Sequence, residues 1–250
     1  MTEEPYRWLE AIGNRREYVR EQLKGGSPVL AASLLDGILL LGVSRGQGKV
    51  FEIHDRHAVA ALGHPADIEK VRQAAIDAAH LEAFTRAPED VSLRRLVGFG
   101  LSAQLKQNFE QLFTAPVLGE FVFAELGLDP RTDVLVRLRF DGSFTVQRGG
   151  LMVVAPDADA EAEAVQWLKA NWGAPTSWAD AARQLLEAWW LLSTGRGFGD
   201  PVPTPAEREA GWRAATADGQ IELGWLKRQT HRAIRYEALD PAQLSAPVVK

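Results

Sequence analysis

The stretch KVFEIHDRHAVAALGHPADIEKV, Lys49–Val71, sets two strands and a helix end to end. Lys49 opens a short strand-like run rich in apolar residues, expected over about Lys49–Ile53. A polar turn follows, and then a second, apolar strand expected over about His57–Leu62. Gly63 ends that run, and Pro65 stands where the first turn of a helix has no use for an N–H. Ile68, Val71, Ala75, Ala78, Ala79 and Phe84 then mark one face of a long helix. A hairpin that delivers directly into a helix is the building unit of a layered protein in which sheets are covered by helices. The stretch also poses a chemical question. A lysine heads the strand, with no cysteine in the chain and no nucleophile beside it.

Working outward, Leu9, Ile12, Tyr18, Val19 and Leu23 recur at helical spacing, so a helix is expected over Tyr6–Lys24, stopped by Gly25 and Gly26. SPVLAASLLDGILLLGVSR then reads as a hairpin turning at Asp36-Gly37. Beyond the opening stretch a second helix is expected from about Pro88 to Leu112. The segments EFVFAELG, DVLVRLRF, SFTVQ and LMVVAP read as strands, with another tight turn at Asp141-Gly142. Helices follow over about Asp159–Trp172 and Trp178–Ser193. Residues 195–219, rich in Gly, Pro and charge, read as a surface excursion with a short helix near Pro205–Ala214. IELGWLKR and HRAIRYEAL close the chain as a strand pair. Helix pairs alternating with antiparallel hairpins predict an α+β fold with stacked sheets between helical layers.

Composition removes several functions. With 250 residues, 46% of them hydrophobic, the chain can bury a substantial core. The absence of cysteine excludes thiolate chemistry and disulfides and fits a reducing, cytoplasmic setting. A net charge of −5 without a basic tract argues against nucleic acid. The acidic start MTEEPYRW lacks a secretory pattern, and no apolar run is long enough to span a membrane.

The remaining candidates are weak. His54, His57, His64, His80 and His231 show no clamp spacing with an acid to match, so neither a metal nor a cofactor is implied. SRGQGK resembles part of a phosphate loop, but Val50 stands where the Ser or Thr is required. Asp157, Asp159, Glu161 and Glu163 open an expected helix, where carboxylates suit the positive dipole end as a solvated cap. Trp178, Trp189 and Trp190 lie among leucines at helical spacing and read as core.

REYVREQLKGGSPVLAASLLDGILLLG, Arg16–Gly42, resembles the opening of proteasome α subunits, a helix with an E-Y-x-x-E-x-x-x-x-G-S pattern before the first hairpin. Lys49–Val71 resembles the next signature of that family, and RFDGSFTVQ, Arg139–Gln147, looks like its later hairpin. The likeness is to the actinobacterial type and covers about Pro5 to Ser193, resuming from Gln220 to Leu239. It implies a four-layer αββα sandwich of the Ntn-hydrolase type with an extra N-terminal helix. A gate tail would occupy residues 1–8 and a single domain residues 9–250. It further implies a noncatalytic subunit in a homo-oligomeric, heptameric outer ring, stacked on a ring of catalytic β subunits. Such a ring gates unfolded protein substrates and receives a ring ATPase or other activator through its C-terminus. Lys49 resembles the lysine that takes the activator's terminal carboxylate, with Gly26, Gly63 and His64 at the rest of that pocket. Pro5, Tyr6 and Trp8 fall at the gate, and Glu17 and Tyr18 at the ring face.

The same fold also builds peptidases whose exposed N-terminal Ser or Thr attacks with its own α-amine as base. Ser27 would then be the nucleophile and Lys49 the residue lowering its pKa. Against this, Val43 stands where the lysine's acid partner is expected, the segment before Ser27 reads as an amphipathic helix, and Pro28 removes a backbone N–H. A ring scaffold outside proteolysis is the third reading.

Overall fold

A computed structural model of the chain describes residues 4–199 and 201–245. Helix α1 (Glu4–Leu23) leads into the hairpin β1 (Val29–Leu34) and β2 (Gly37–Ser44), then β3 (Val50–His54) and β4 (His57–Gly63). Helix α2 (Pro65–Thr85) and the broken helix α3 (Leu93–Arg95) to α4 (Ser102–Glu110) follow. Four strands come next: β5 (Gly119–Glu125), β6 (Val134–Leu138), β7 (Phe144–Arg148) and β8 (Leu151–Val154). The chain closes with α5 (Ala158–Asn171), α6 (Trp178–Thr194), α7 (Pro205–Ala215), β9 (Gln220–Lys227) and β10 (Tyr236–Leu239). One sheet has the order β10-β9-β2-β1-β8 and the other β3-β4-β5-β6-β7, with antiparallel ladders throughout.

Strand periodicity splits the apolar residues among three cores. Val29, Ala31, Ile38, Leu40 and Leu226 of the first sheet meet Ala58, Ala60, Leu62, Val122 and Leu135 of the second. The alternate residues of the first sheet, Leu30, Ala32, Leu39, Leu41 and Trp225, face α5 and α6 through Leu168, Leu185, Leu186 and Trp190. On the far side, Val59, Ala61, Phe121 and Phe123 face α2 through Ile68, Val71 and Ala75. Three cores between four layers give the expected αββα sandwich. Helix α1 belongs to it, since Val19 and Leu23 are buried in the core between the sheets.

The structure corrects several boundaries. Helix α1 starts at Glu4, so Pro5, Tyr6 and Trp8 lie in its first turns rather than in a tail, and Pro5 is tolerated there because early helix N–H groups lack partners anyway. Met1–Glu3, the rest of the expected gate tail, lie outside the described residues. The helix expected from Pro88 begins only at Leu93, after a 3-10 turn at Pro88–Asp90, and it carries a π-helical segment, Leu96–Leu101. Gly98 and Gly100 have low helix propensity and weaken the regular ladder there. The last strand is limited to Tyr236–Leu239, because Arg235 N is diverted to the Asp55 carbonyl at 2.7 Å. Within 195–219, α7 docks on α6 by burying Trp212, by an Arg208–Glu187 ion pair at 2.7 Å and by seating Gly211 against the Trp190 ring.

Two polar junctions hold the layers. Asp133 is fully buried and accepts from Ser33 Oγ at 2.6 Å, Gly127 N at 2.8 Å and both terminal nitrogens of Arg228 at 2.9 Å. Arg228 places its remaining N–H groups on the Leu34, Leu35 and Gly127 carbonyls, so all five of its donors are used. At the β3–β4 turn, Glu125 accepts from Arg56 Nη1 at 2.8 Å and from Leu93 N at 2.7 Å, with the buried His57 Nε2 at 3.7 Å. Burial by itself would raise the Glu125 carboxyl, but His57, the Leu93 amide and Arg56 outweigh it and hold the group at about 2.

Asp133→Ala should destabilise the protein by about 3–5 kcal/mol in urea unfolding, because it strands a buried guanidinium; a loss below about 1 kcal/mol would contradict the junction's role. For Glu125, a depressed carboxyl contributes stability that is present above its ordinary value of 4.5 and lost as pH falls toward about 2. The stability gap between the wild type and Glu125→Gln, on the order of 3 kcal/mol near neutrality, should therefore close across that window. A gap that does not change with pH would show that Glu125 is not held by its charge.

Candidate functional site

Where α1 hands the chain to β1 there is a cleft of about 640 Å³. Gly26, Ser27, Lys49 and Gly63 line it together with Asp157 and Trp189. Gly26 N donates to the Leu23 carbonyl at 2.8 Å, which closes the end of α1 and turns the chain into the cleft. A Cβ on Gly26 would fall 2.9 Å from Leu62 Cγ, so the close approach of α1 to β4 needs glycine. Gly63 has φ +145° and faces the Leu118 carbonyl, which a Cβ would approach to 2.2 Å.

Lys49 is partly buried, and its Nζ donates to the Ser27 carbonyl at 3.2 Å. Burial lowers its amine from the ordinary value, and the Glu222 carboxylate works in the opposite direction. That acid is the partner missing at Val43: it comes from β9, across from Gly42 in the β2–β9 register. Glu222 Oε2 accepts from Lys49 N at 2.6 Å and Val50 N at 3.0 Å. Ser27 Oγ accepts from Trp189 Nε1 at 3.0 Å, and the Ser27 nitrogen remains in its peptide bond to Gly26. Charged residues in the cleft wall are Lys24, Arg45 and Lys49 against Asp157, so the cleft suits an anion.

The other sequence candidates are dispersed. His64 does not line the cleft; its Nδ1 accepts from Ala66 N at 3.3 Å and caps α2. Glu17 and Tyr18 are exposed on α1, and Trp8 is half exposed beside Arg16 and Phe109. The side chains of Pro5 and Tyr6 lie outside the described residues. Asp157 caps α5 as expected, but Glu161 is not a solvated cap residue: it accepts from Ala155 N at 3.1 Å and pairs with Arg137, and burial raises its carboxyl. His54, His57 and His80 gather near the β3–β4 turn, with ring centroids 6.2 and 5.7 Å apart, and among the described residues no group able to hold a metal is found. No helix among the described residues is long and apolar enough to cross a membrane.

No family model matches the chain. Its curated relatives are consistent. It is 30% identical over 202 residues to the proteasome subunit alpha of Pseudarthrobacter chlorophenolicus, covering 79% of this chain and 82% of that protein. It is 31% identical over 184 residues to the proteasome subunit alpha of Kineococcus radiotolerans, covering 72% and 74%. The chain belongs to the proteasome α-subunit family. That membership agrees with the four-layer sandwich, the N-terminal helix and the actinobacterial likeness of Arg16–Gly42 and Lys49–Val71.

Gly63 makes the cleft wall of this α-type chain directly testable. Gly63→Ala combines a positive φ with a backbone clash and should cost at least about 1–3 kcal/mol in strain alone, read as a lower melting temperature. A melting temperature equal to wild type would mean that β4 and the Leu118 segment are not held in close contact.

Proposed function

We propose that this chain is a noncatalytic α-type subunit that forms the outer ring of a 20S-like core particle. Its partners are further copies of itself in a seven-membered ring, a ring of catalytic β-type subunits and a ring ATPase or similar activator, acting on unfolded proteins in the cytoplasm. The observation that carries the reading is the burial of helix α1 ahead of Ser27. An N-terminal nucleophile needs a free α-amine as its base, whereas the segment that would have to be removed to free it is a helix whose Val19 and Leu23 are buried between the sheets. Removing α1 would uncover both side chains, so α1 is a working part of the fold and not a discarded leader. The hydroxyl of Ser27 is also engaged by the Trp189 indole.

Lys49 is free of a direct ion pair in the cleft and would receive the terminal carboxylate of the activator, with Lys24 and Arg45 adding positive charge. Gly26 and Gly63 shape the wall beside it, while His64 supports the site through the start of α2. The exposed Glu17 and Tyr18 would meet neighbouring copies, and Pro5, Tyr6 and Trp8 would surround the pore.

The purified chain should therefore leave fluorogenic peptides uncleaved; turnover that Ser27→Ala abolishes would overturn the noncatalytic reading. In assembled rings, Lys49→Ala should weaken binding of the activator's C-terminal peptide by about 2–5 kcal/mol, with only partial rescue by Lys49→Arg. Unchanged affinity in an intact Lys49→Ala ring would remove the docking role.

A further inference from the structure

Glu222 does something at the cleft that strand pairing does not require. It projects from β9 of the first sheet to the edge strand β3 of the second, where it binds the Lys49 and Val50 amides with one oxygen, Oε2. The other oxygen, Oε1, is buried and makes no hydrogen bond. A glutamine would serve two N–H donors equally well, whereas a buried carboxylate oxygen without a partner carries a desolvation cost. What a carboxylate adds is charge, and the cation within its reach is Lys49.

Two glycines border this arrangement: a Cβ on Gly48 would fall 3.2 Å from the Phe51 ring and 3.4 Å from Glu222 Oε2, and one on Gly42 would fall 3.4 Å from Lys49 Cβ. Lys49 Nζ points to the Ser27 carbonyl, and no ion-pair contact joins it to Glu222. Charged groups lining the cleft with Lys49 are Lys24 just after α1, Arg45 after β2 and Asp157 at the cap of α5; Tyr236 on β10 feels Glu222 together with Glu52 of β3 and Arg72 of α2. Burial, then Glu222 and Glu52, push the Tyr236 phenol up to about 12, so it stays neutral and adds no competing charge.

We propose that Glu222 is the positioning residue for Lys49: it binds the lysine's main chain and not its ammonium, so that Nζ, which donates to the Ser27 carbonyl, keeps its remaining donors for a carboxylate entering the cleft. The inference deepens the docking reading and rests on it for the identity of the ligand. Its core, the hold of Glu222 on Lys49, can be tested without any ligand.

The full-length protein is acetylated with limiting acetic anhydride across the neutral to alkaline range, and Lys49 is quantified by peptide mass spectrometry against the exposed Lys169. Only the free amine reacts. Glu222→Gln keeps an acceptor for both amides and removes the charge, so Lys49 should lose its proton at lower pH and react about three- to tenfold faster near pH 8. A Glu222→Gln protein with a wild-type melting curve and a wild-type Lys49 profile would overturn the proposal. If that variant fails to fold, Glu222→Asp decides. It keeps the charge but falls a methylene short of the amides, so it should retain the Lys49 profile while binding an N-acetyl tripeptide with a free carboxylate at least about threefold more weakly. Wild-type affinity in that variant would also overturn it. Failure of the wild type to prefer the tripeptide acid over its amide would sink the docking reading by itself, whatever the acetylation shows.

Discussion

The buried pair between Asp133 and Arg228 fixes how the two sheets stack. A carboxylate with no exposure needs every lone pair answered, and here a bidentate guanidinium, an amide and a hydroxyl answer them. Because Arg228 also binds the Leu34 and Leu35 carbonyls, the pair ties the β1–β2 turn and the end of β9 to the start of β6. The consequence is felt at the far end of the same strands. β1 runs from the residues after Ser27 toward this junction, and β9 (Gln220–Lys227) carries Glu222 near one end and leads into Arg228 at the other, so the same two strands reach both the junction and the cleft.

At the cleft a serine and a lysine lie side by side, with an acid behind the lysine, and each has a defined hydrogen-bond partner. The serine nitrogen is sealed by the chain that continues into α1, its hydroxyl takes an indole N–H, and the acid is spent on backbone amides. What remains is an ammonium, partly desolvated, where a charge-assisted hydrogen bond is stronger than in water.

The sequence carried the fold because its periodicities are clean. The unbroken apolar runs of β2 and β4, the Asp36-Gly37 turn and Pro65 at the head of α2 are local signals, and the structure places each as read. The start of the second helix was misread because Val91 and Leu96 keep helical spacing although the residues before Leu93 do not wind as α-helix. The cleft was half legible. Lys49, Gly26, Ser27 and Gly63 are singled out by the family resemblance, but Glu222 lies far along the chain and becomes a neighbour only through the β2–β9 register. The same holds for Asp133 and Arg228, whose pairing no local pattern encodes, and for Trp189, which looked like core and also reaches the cleft. The resemblance sets His64 beside Gly63 in the pocket, whereas its ring caps α2.

The central claim is that the peptide bond between Gly26 and Ser27 is permanent, since the buried face of α1 makes the preceding segment part of the folded domain. Intact-mass measurement of the chain, purified after co-production with a catalytic β-type partner, tests it most directly. The account predicts a mass that retains the residues of α1. A mass that begins at Ser27 would contradict it, because it would free the α-amine that an N-terminal nucleophile requires.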